Sequence, residues 1–195
     1  MEVFRALPPA FFDQPPPMVA RALLGARLVR RVGDAVLAGR IVETEAYLSA
    51  GDAAAHGARP MTQRTRVLFG PAGRAYVYRL RQYALLDVTT EGPGVPGAVL
   101  LRAVEPVLGA EHMLALGGGA DVRRVASGPG KLCRAFAVDL TLNGADLTDA
   151  DGPLFLAAGP PEAFEVRVTP RVGITRAQAA PLRFVVAGSA SISRP

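Results

Sequence analysis

The segment that most constrains this chain spans residues 35–48 and ends in RIVETEAYL. Its Val, Ile, Thr and Tyr residues favour a strand, and it is long for one. Residues 27–32 (RLVRRV) form a second strand-like run, and the Gly33-Asp34 pair between the two suits a tight reversal. Together they predict an antiparallel hairpin. Side chains alternate along a strand, so Ile41, Glu43, Glu45 and Tyr47 are expected on one face and Val42, Thr44, Ala46 and Leu48 on the other. The second set is apolar or nearly so and belongs to a core. The first puts two carboxylates beside an aromatic ring. That face is either solvated or a site, and these residues alone leave both open.

The rest of the chain reads as a frame for this strand. Apolar segments predict further strands within 73–88 around a basic turn, and at 98–103, 153–157, 165–168 and 182–187. Helical spacing predicts helices at 18–24, with Gly25 just past the end, and at 106–116, stopped by GGG at 117–119. A short helix is expected at 131–138, entered through SGPG. Residues 49–66 are small, polar and basic, and read as a loop. PPP at 15–17 closes an N-terminal arm, residues 1–17, expected to be extended. Strands outnumber helices and the hairpins are short. This predicts an α+β fold: a single mixed domain, residues 1–195, built on a largely antiparallel sheet.

Half of the 195 residues are hydrophobic and 20% are charged, which excludes a disordered chain. No run approaches a transmembrane span, and the N-terminus lacks an apolar signal segment, so no membrane partner is expected. Cys133 is the only cysteine. No internal disulfide can form, and a cytoplasmic location fits. The net charge of +5 matters less than its distribution. No acid falls between Asp52 and Asp87, where Arg59, Arg64, Arg66, Arg74, Arg79 and Arg81 lie. None falls between Asp121 and Asp139, around Arg124, Lys131 and Arg134, and none follows Glu165. Such acid-free basic segments predict a positive surface and a polyanionic partner, with nucleic acid the leading candidate.

Several motifs can be set aside. SGPGK at 127–131 is not a nucleotide phosphate loop, because Val125 stands where the first Gly is needed and Leu132 where Ser or Thr would hold magnesium. It remains either an anion-binding turn or an ordinary helix entry. Asp149 and Asp151 lack the spacing of a calcium loop. His56 and His112 are far apart with no cysteine cluster, so no metal is expected. Cys133 reads as a packed thiol.

RIVETEAYL, AAH at 54–56, TQRTRVLFGPAGRAYVY at 62–78, LLRAVEP at 100–106, SGPGKLCRAFAV at 127–138, then RVGIT and PLRF near the end, occur in that order over nearly the whole chain. This pattern resembles the alkyladenine (3-methyladenine) DNA glycosylase family. The resemblance implies a DNA-repair enzyme that flips alkylated or deaminated purines out of duplex DNA and hydrolyses the N-glycosidic bond, leaving an abasic site. It implies no metal or cofactor, no obligate protein partner, a monomer, and a curved antiparallel sheet with a hairpin that enters the minor groove. By motif, Glu45 is the base that activates water. Arg102 and the Val172 carbonyl hold that water. Tyr47, His56 and Tyr78 stack on the flipped base. Arg59, Arg64, Arg66 and Lys131 are candidates for the DNA backbone. The chemistry agrees: aromatic faces grip a base, and a carboxylate both deprotonates water and stabilises an oxocarbenium-like sugar.

The chain departs from the family pattern in two places. The usual wedge tyrosine is missing in register, which leaves Leu80, Arg81 and Tyr83 as candidates. Asp87 stands where the family has a pocket asparagine that disfavours guanine. A carboxylate there is expected to relax that exclusion and to raise the pKa of the pair it forms with Glu45. Strand cleavage by Schiff-base chemistry needs an amine, and the only lysine lies outside the ETEAY block, so a monofunctional glycosylase is expected. The competing readings are a metal-dependent nuclease and a catalytically weak nucleic-acid-binding module of the same fold. Glu45 and Arg102 together argue against the binder, since a carboxylate facing DNA repels phosphate.

Overall fold

The computed structural model describes residues 4–194. The strands are β1 (Arg27–Val32), β2 (Ala35–Tyr47), β3 (Ala75–Leu80), β4 (Tyr83–Thr90), β5 (Gly97–Leu108), β6 (Leu154–Ala157), β7 (Val166–Thr169) and β8 (Arg183–Val186). The helices are α1 (Pro9–Phe12), α2 (Pro16–Ala22), α3 (Ala110–Gly117) and α4 (Pro129–Ala135). As the sequence predicts, β1 and β2 form a hairpin over Gly33, and β2 is the centre of the sheet. No single neighbour covers a strand this long. The first half of β2 pairs with β1, part of its second half pairs with β8, and its other edge runs along β5. With the order β3-β4-β5-β2-β1-β6 and β7 beside β8, the eight strands form one sheet with every named pairing antiparallel.

Register shifts between β2 and β5 fall at Ala38/Gly39 and on both sides of Glu43. Irregularities of this kind bend a strand and increase its twist, so the sheet curls. They also break the alternation expected from the sequence. Ile41 joins Val42 in the main apolar core instead of sharing a face with the glutamates. The curled sheet separates two environments. On one face Val77, Leu86, Val88, Val99 and Leu101 pack with Leu132, Cys133 and Phe136 of the α4 region and with Leu23 beyond α2. Here Thr44 satisfies its hydroxyl by donating to the Ala20 carbonyl at 2.8 Å. On the other face Tyr76, Tyr78, Leu85, Ala98 and Leu100 form a separate cluster, with Tyr47 packed against it.

Three sequence expectations shift. The helix expected from 106 begins only at Ala110, because β5 continues through Pro106. Pro106 sits opposite Gly39 at one of the register shifts, where a missing N–H is tolerated. The arm is not extended throughout. Residues 1–3 lie outside the described residues, but Pro9–Phe12 closes a helical turn and Leu7 N–H donates to the Leu156 carbonyl. Burial explains the turn, since Phe12 is fully covered, and burying such a side chain is worth about 1.5–3 kcal/mol. Helices α2 and α4 each start about two residues earlier than expected because a proline sits in the first turn, where its fixed φ suits the helix.

Candidate active site

The aromatic face of the sheet forms one wall of a cavity of about 980 Å³. β3 contributes Tyr76 and Tyr78, two residues apart and therefore on the same side. Their rings stack at 5.0 Å between centroids, with 23° between planes. The 3₁₀ turn His56–Ala58 brings the His56 ring edge-on to Tyr78 at 4.8 Å, with Nδ1 3.1 Å from the Tyr76 hydroxyl. Burial, followed by the nearby charges of Arg64 and Arg59, lowers the His56 pKa and keeps the imidazole neutral near pH 7.

Beside these rings lies a network of carboxylates and guanidiniums. Glu45 is fully buried, and each of its oxygens is engaged. Oε1 accepts the Val172 backbone N–H at 2.7 Å. Oε2 accepts the Tyr47 hydroxyl at 3.0 Å and lies 3.3 Å from Arg102 Nη1. Arg102 is held from behind by Glu43. Its Nε donates to Glu43 Oε1 at 2.8 Å and its Nη2 to Ser193 Oγ at 3.0 Å. Glu43 also accepts Arg183 Nε at 2.7 Å, the Ser193 N–H at 2.6 Å and the Ser193 hydroxyl at 2.8 Å. The two glutamates thus have different surroundings. Burial pushes both upward. For Glu43, Arg102, Ser193 and Arg183 outweigh burial and bring its pKa below the ordinary value. For Glu45, burial outweighs Arg102, the Val172 N–H and the Tyr47 hydroxyl, and its pKa is raised. A carboxylate with a raised pKa is a better proton acceptor than an ordinary one.

A second pair fixes the neighbouring loops. Arg171 gives two hydrogen bonds to Asp52, at 2.5 and 2.7 Å, and a third to the Ala46 carbonyl at 2.9 Å. Its guanidinium lies 4.6 Å from the centroid of the Tyr47 ring. The fork therefore binds the segment after β2 to the segment after β7, and so places Val172 against Glu45. Burial first, and then the Glu45 charge, raise the Tyr47 pKa well above its usual value, so the hydroxyl stays a donor.

The residues singled out by sequence divide as follows. Glu45, Tyr47, His56, Tyr78, Asp87, Arg102 and Val172 come together around the cavity, or directly against residues that line it. Val172 presents its N–H to Glu45, while its carbonyl lies 3.5 Å from Arg102 Nη1. Leu80 and Tyr83 pair across the β3–β4 hairpin at the cavity rim, and Arg81 occupies the turn with a φ of 54°. Lys131 lines the mouth, and Arg59, Arg64 and Arg66 are exposed on the segment that carries His56. Among the described residues no group of three or more His, Cys, Asp or Glu could hold a metal ion, and no helix is long and apolar enough to cross a membrane. Sequence reasoning missed Tyr76, Asp52, Arg171, Arg183 and Ser193. Tyr76 could have been found from its spacing to Tyr78. The others act through contacts between distant segments.

The cavity thus combines basic side chains and stacked aromatic rings with a buried, arginine-held glutamate. The chain belongs to the methylpurine-DNA glycosylase family, whose model matches residues 10–190. It is 48% identical over 191 residues to a protein of Koribacter versatilis, covering 96% of this chain and 92% of that one. It is 47% identical over 191 residues to a protein of Methanoculleus marisnigri, covering 96% and 98%. Each of these relatives is provisionally named a 3-methyladenine DNA glycosylase.

Proposed function

We propose that this chain excises alkylated or deaminated purines from duplex DNA by direct hydrolysis, without cutting the strand. The observation that carries the reading is Glu45: a buried carboxylate with a raised pKa, held by Val172, Tyr47 and Arg102 beside the ring-lined cavity. The damaged nucleotide rotates into the cavity, and its base stacks on the aromatic wall. Stacking of this kind is worth roughly 1–3 kcal/mol per base, comparable with the few kcal/mol needed to unstack it. A lesion that pairs poorly tips that balance. Glu45 takes a proton from a water, the water oxygen bonds to the sugar C1′, and the C1′–N bond breaks with its electron pair leaving on the base. The products are the free base and an abasic site. Arg102 steadies the attacking water and balances the charge of Glu45.

Leu80 acts as the wedge that fills the vacated stack. It is 55% exposed at the hairpin tip, whereas Tyr83 is committed to packing on Gly130. Arg59, Arg64, Arg66 and Lys131 hold the DNA backbone. The test is base release from duplex oligonucleotides carrying single lesions, in EDTA. Wild type should release bases, and Glu45→Gln should fall by about 10²–10⁴-fold. Equal release by both would remove Glu45 from the mechanism. Binding of lesion DNA without release of any base would leave the binding-module reading. A covalent enzyme–DNA adduct trapped by borohydride would overturn direct hydrolysis.

A further inference from the structure

One buried carboxyl of the site stands outside its charge balance. Glu43, Glu45 and Asp52 face Arg102, Arg183 and Arg171, so three carboxylates meet three guanidiniums and the network is neutral. Asp87, on β4, has no such partner. It is 5% exposed and lines the cavity. Among the described residues it forms no ion pair, and its Oδ1 is buried without a hydrogen-bond partner. The groups around it give no compensation. Glu45 and Tyr47 stand on β2, Tyr76 lies directly opposite on β3 with Tyr78 beside it, and Cys133 comes from α4. Arg102, the cation on β5, is already committed to Glu43 and Glu45. A carboxyl buried in this way stays protonated, and burial followed by the Glu45 charge raises its pKa well above the usual value.

We propose that Asp87 selects for positive charge on the flipped base: it is uncharged in the empty cavity and gives up its proton when a cationic purine enters. The inference rests on the proposal that the cavity receives a flipped purine. A purine alkylated at a ring nitrogen while still attached to the sugar carries a delocalised positive charge, whereas hypoxanthine and 1,N6-ethenoadenine are neutral. The cation supplies the charge that Asp87 lacks, and the released proton passes to solvent through the cavity mouth. With a neutral base, ionised Asp87 would face only Glu45, so it stays a neutral acid. When the glycosidic bond breaks, positive charge moves from base to sugar. The attraction is therefore strongest before cleavage, and its effect falls on KM more than on kcat.

The test compares 7-methylguanine with hypoxanthine in otherwise identical duplexes, from acidic pH to just below the pH at which 7-methylguanine loses its own N1 proton. The ratio of their kcat/KM values cancels groups common to both reactions, Glu45 included. In wild type the ratio should rise with pH, because deprotonation of Asp87 favours only the cation. In Asp87→Asn the ratio should be flat with pH, the readout that separates lost charge from the guanine exclusion an asparagine brings. It should also be lower by about 10–100-fold, the size of one unit charge pair roughly 6–12 Å apart at an effective dielectric of about 20. The loss should appear mainly as a higher KM for 7-methylguanine. A flat ratio in wild type overturns the proposal without any variant, while leaving the glycosylase reading intact. Release of neither base by wild type overturns both.

Discussion

Replacing Arg171 by Met should unfold the protein more readily than any loss of surface charge would, and should also slow base release. The guanidinium and the Asp52 carboxylate are both essentially inaccessible to solvent, at 0% and 1% side-chain exposure. Met keeps the apolar stem and removes all three hydrogen bonds. Asp52 is left with only the N–H groups of Leu48 and Ala54, and the Ala46 carbonyl loses the Arg171 donor. Breaking one partner out of a buried pair costs about 3–5 kcal/mol, because the remaining charge is left uncompensated. In a domain of this size each kcal/mol moves Tm by roughly 2–4 °C, so the drop should be roughly 6–20 °C. Adding Asp52→Asn to Arg171→Met removes the stranded charge and should recover part of the loss.

The pH dependence of this effect has a definite sign. Burial alone would raise the Asp52 pKa, but Arg171 and the two backbone N–H groups outweigh it, and the folded value is depressed. The stability from the pair is therefore fully present above the ordinary carboxylate pKa and is lost as pH falls through the lower folded value. The Tm gap between wild type and Arg171→Met should close in acid. Circular dichroism melts across pH measure both effects, and base release measured well below Tm separates misplacement of Val172 from unfolding. A variant melting within about 2 °C of wild type at neutral pH would refute the argument, since that corresponds to less than roughly 1 kcal/mol.

Two further predictions follow from the same geometry. In the Asp87→Asn background a single site carboxyl with a raised pKa remains, so kcat/KM should fall about tenfold per pH unit as pH drops through the Glu45 value. That limb should lie above the ordinary carboxylate range, and a profile flat down to that range would contradict the raised pKa. Gly130→Ala should lower Tm and alter release. A Cβ there would meet the Cγ, Cβ and Cδ1 atoms of Tyr83 at 2.9–3.1 Å, and rotation of the side chain moves the ring but not the Cβ, which is fixed to β4. The effect should shrink in a Tyr83→Ala background, which removes the ring and keeps the Cβ, and an equal effect in both backgrounds would show that the Tyr83 ring does not rest on Gly130.

What the sequence conveyed about this molecule follows from where its information is local. The β1–β2 hairpin was legible because a two-residue turn and period-two patterning lie within one short window. The strand through Pro106 was not, because a proline in the chain reads as a helix start unless the register shift opposite Gly39 is known. The site divides in the same way. Glu45 with Tyr47, and Tyr76 with Tyr78, are pairs two residues apart on a strand and share a face by necessity. Arg171 with Asp52, and Ser193 with Glu43, join positions more than a hundred residues apart, and no local pattern marks them. Glu43 shows the limit most clearly. Its spacing to Glu45 puts a second carboxylate on the same strand but leaves its role open. Only the folded surroundings, with Arg102, Arg183 and Ser193 converging on one side chain, distinguish Glu43 from Glu45, which meets Tyr47, Val172 and Arg102 instead. Two side chains alike in the sequence therefore differ in environment through packing. The same reasoning underlies the proposal for Asp87: among the described residues it forms no ion pair, so in that proposal its charge depends on what enters the cavity.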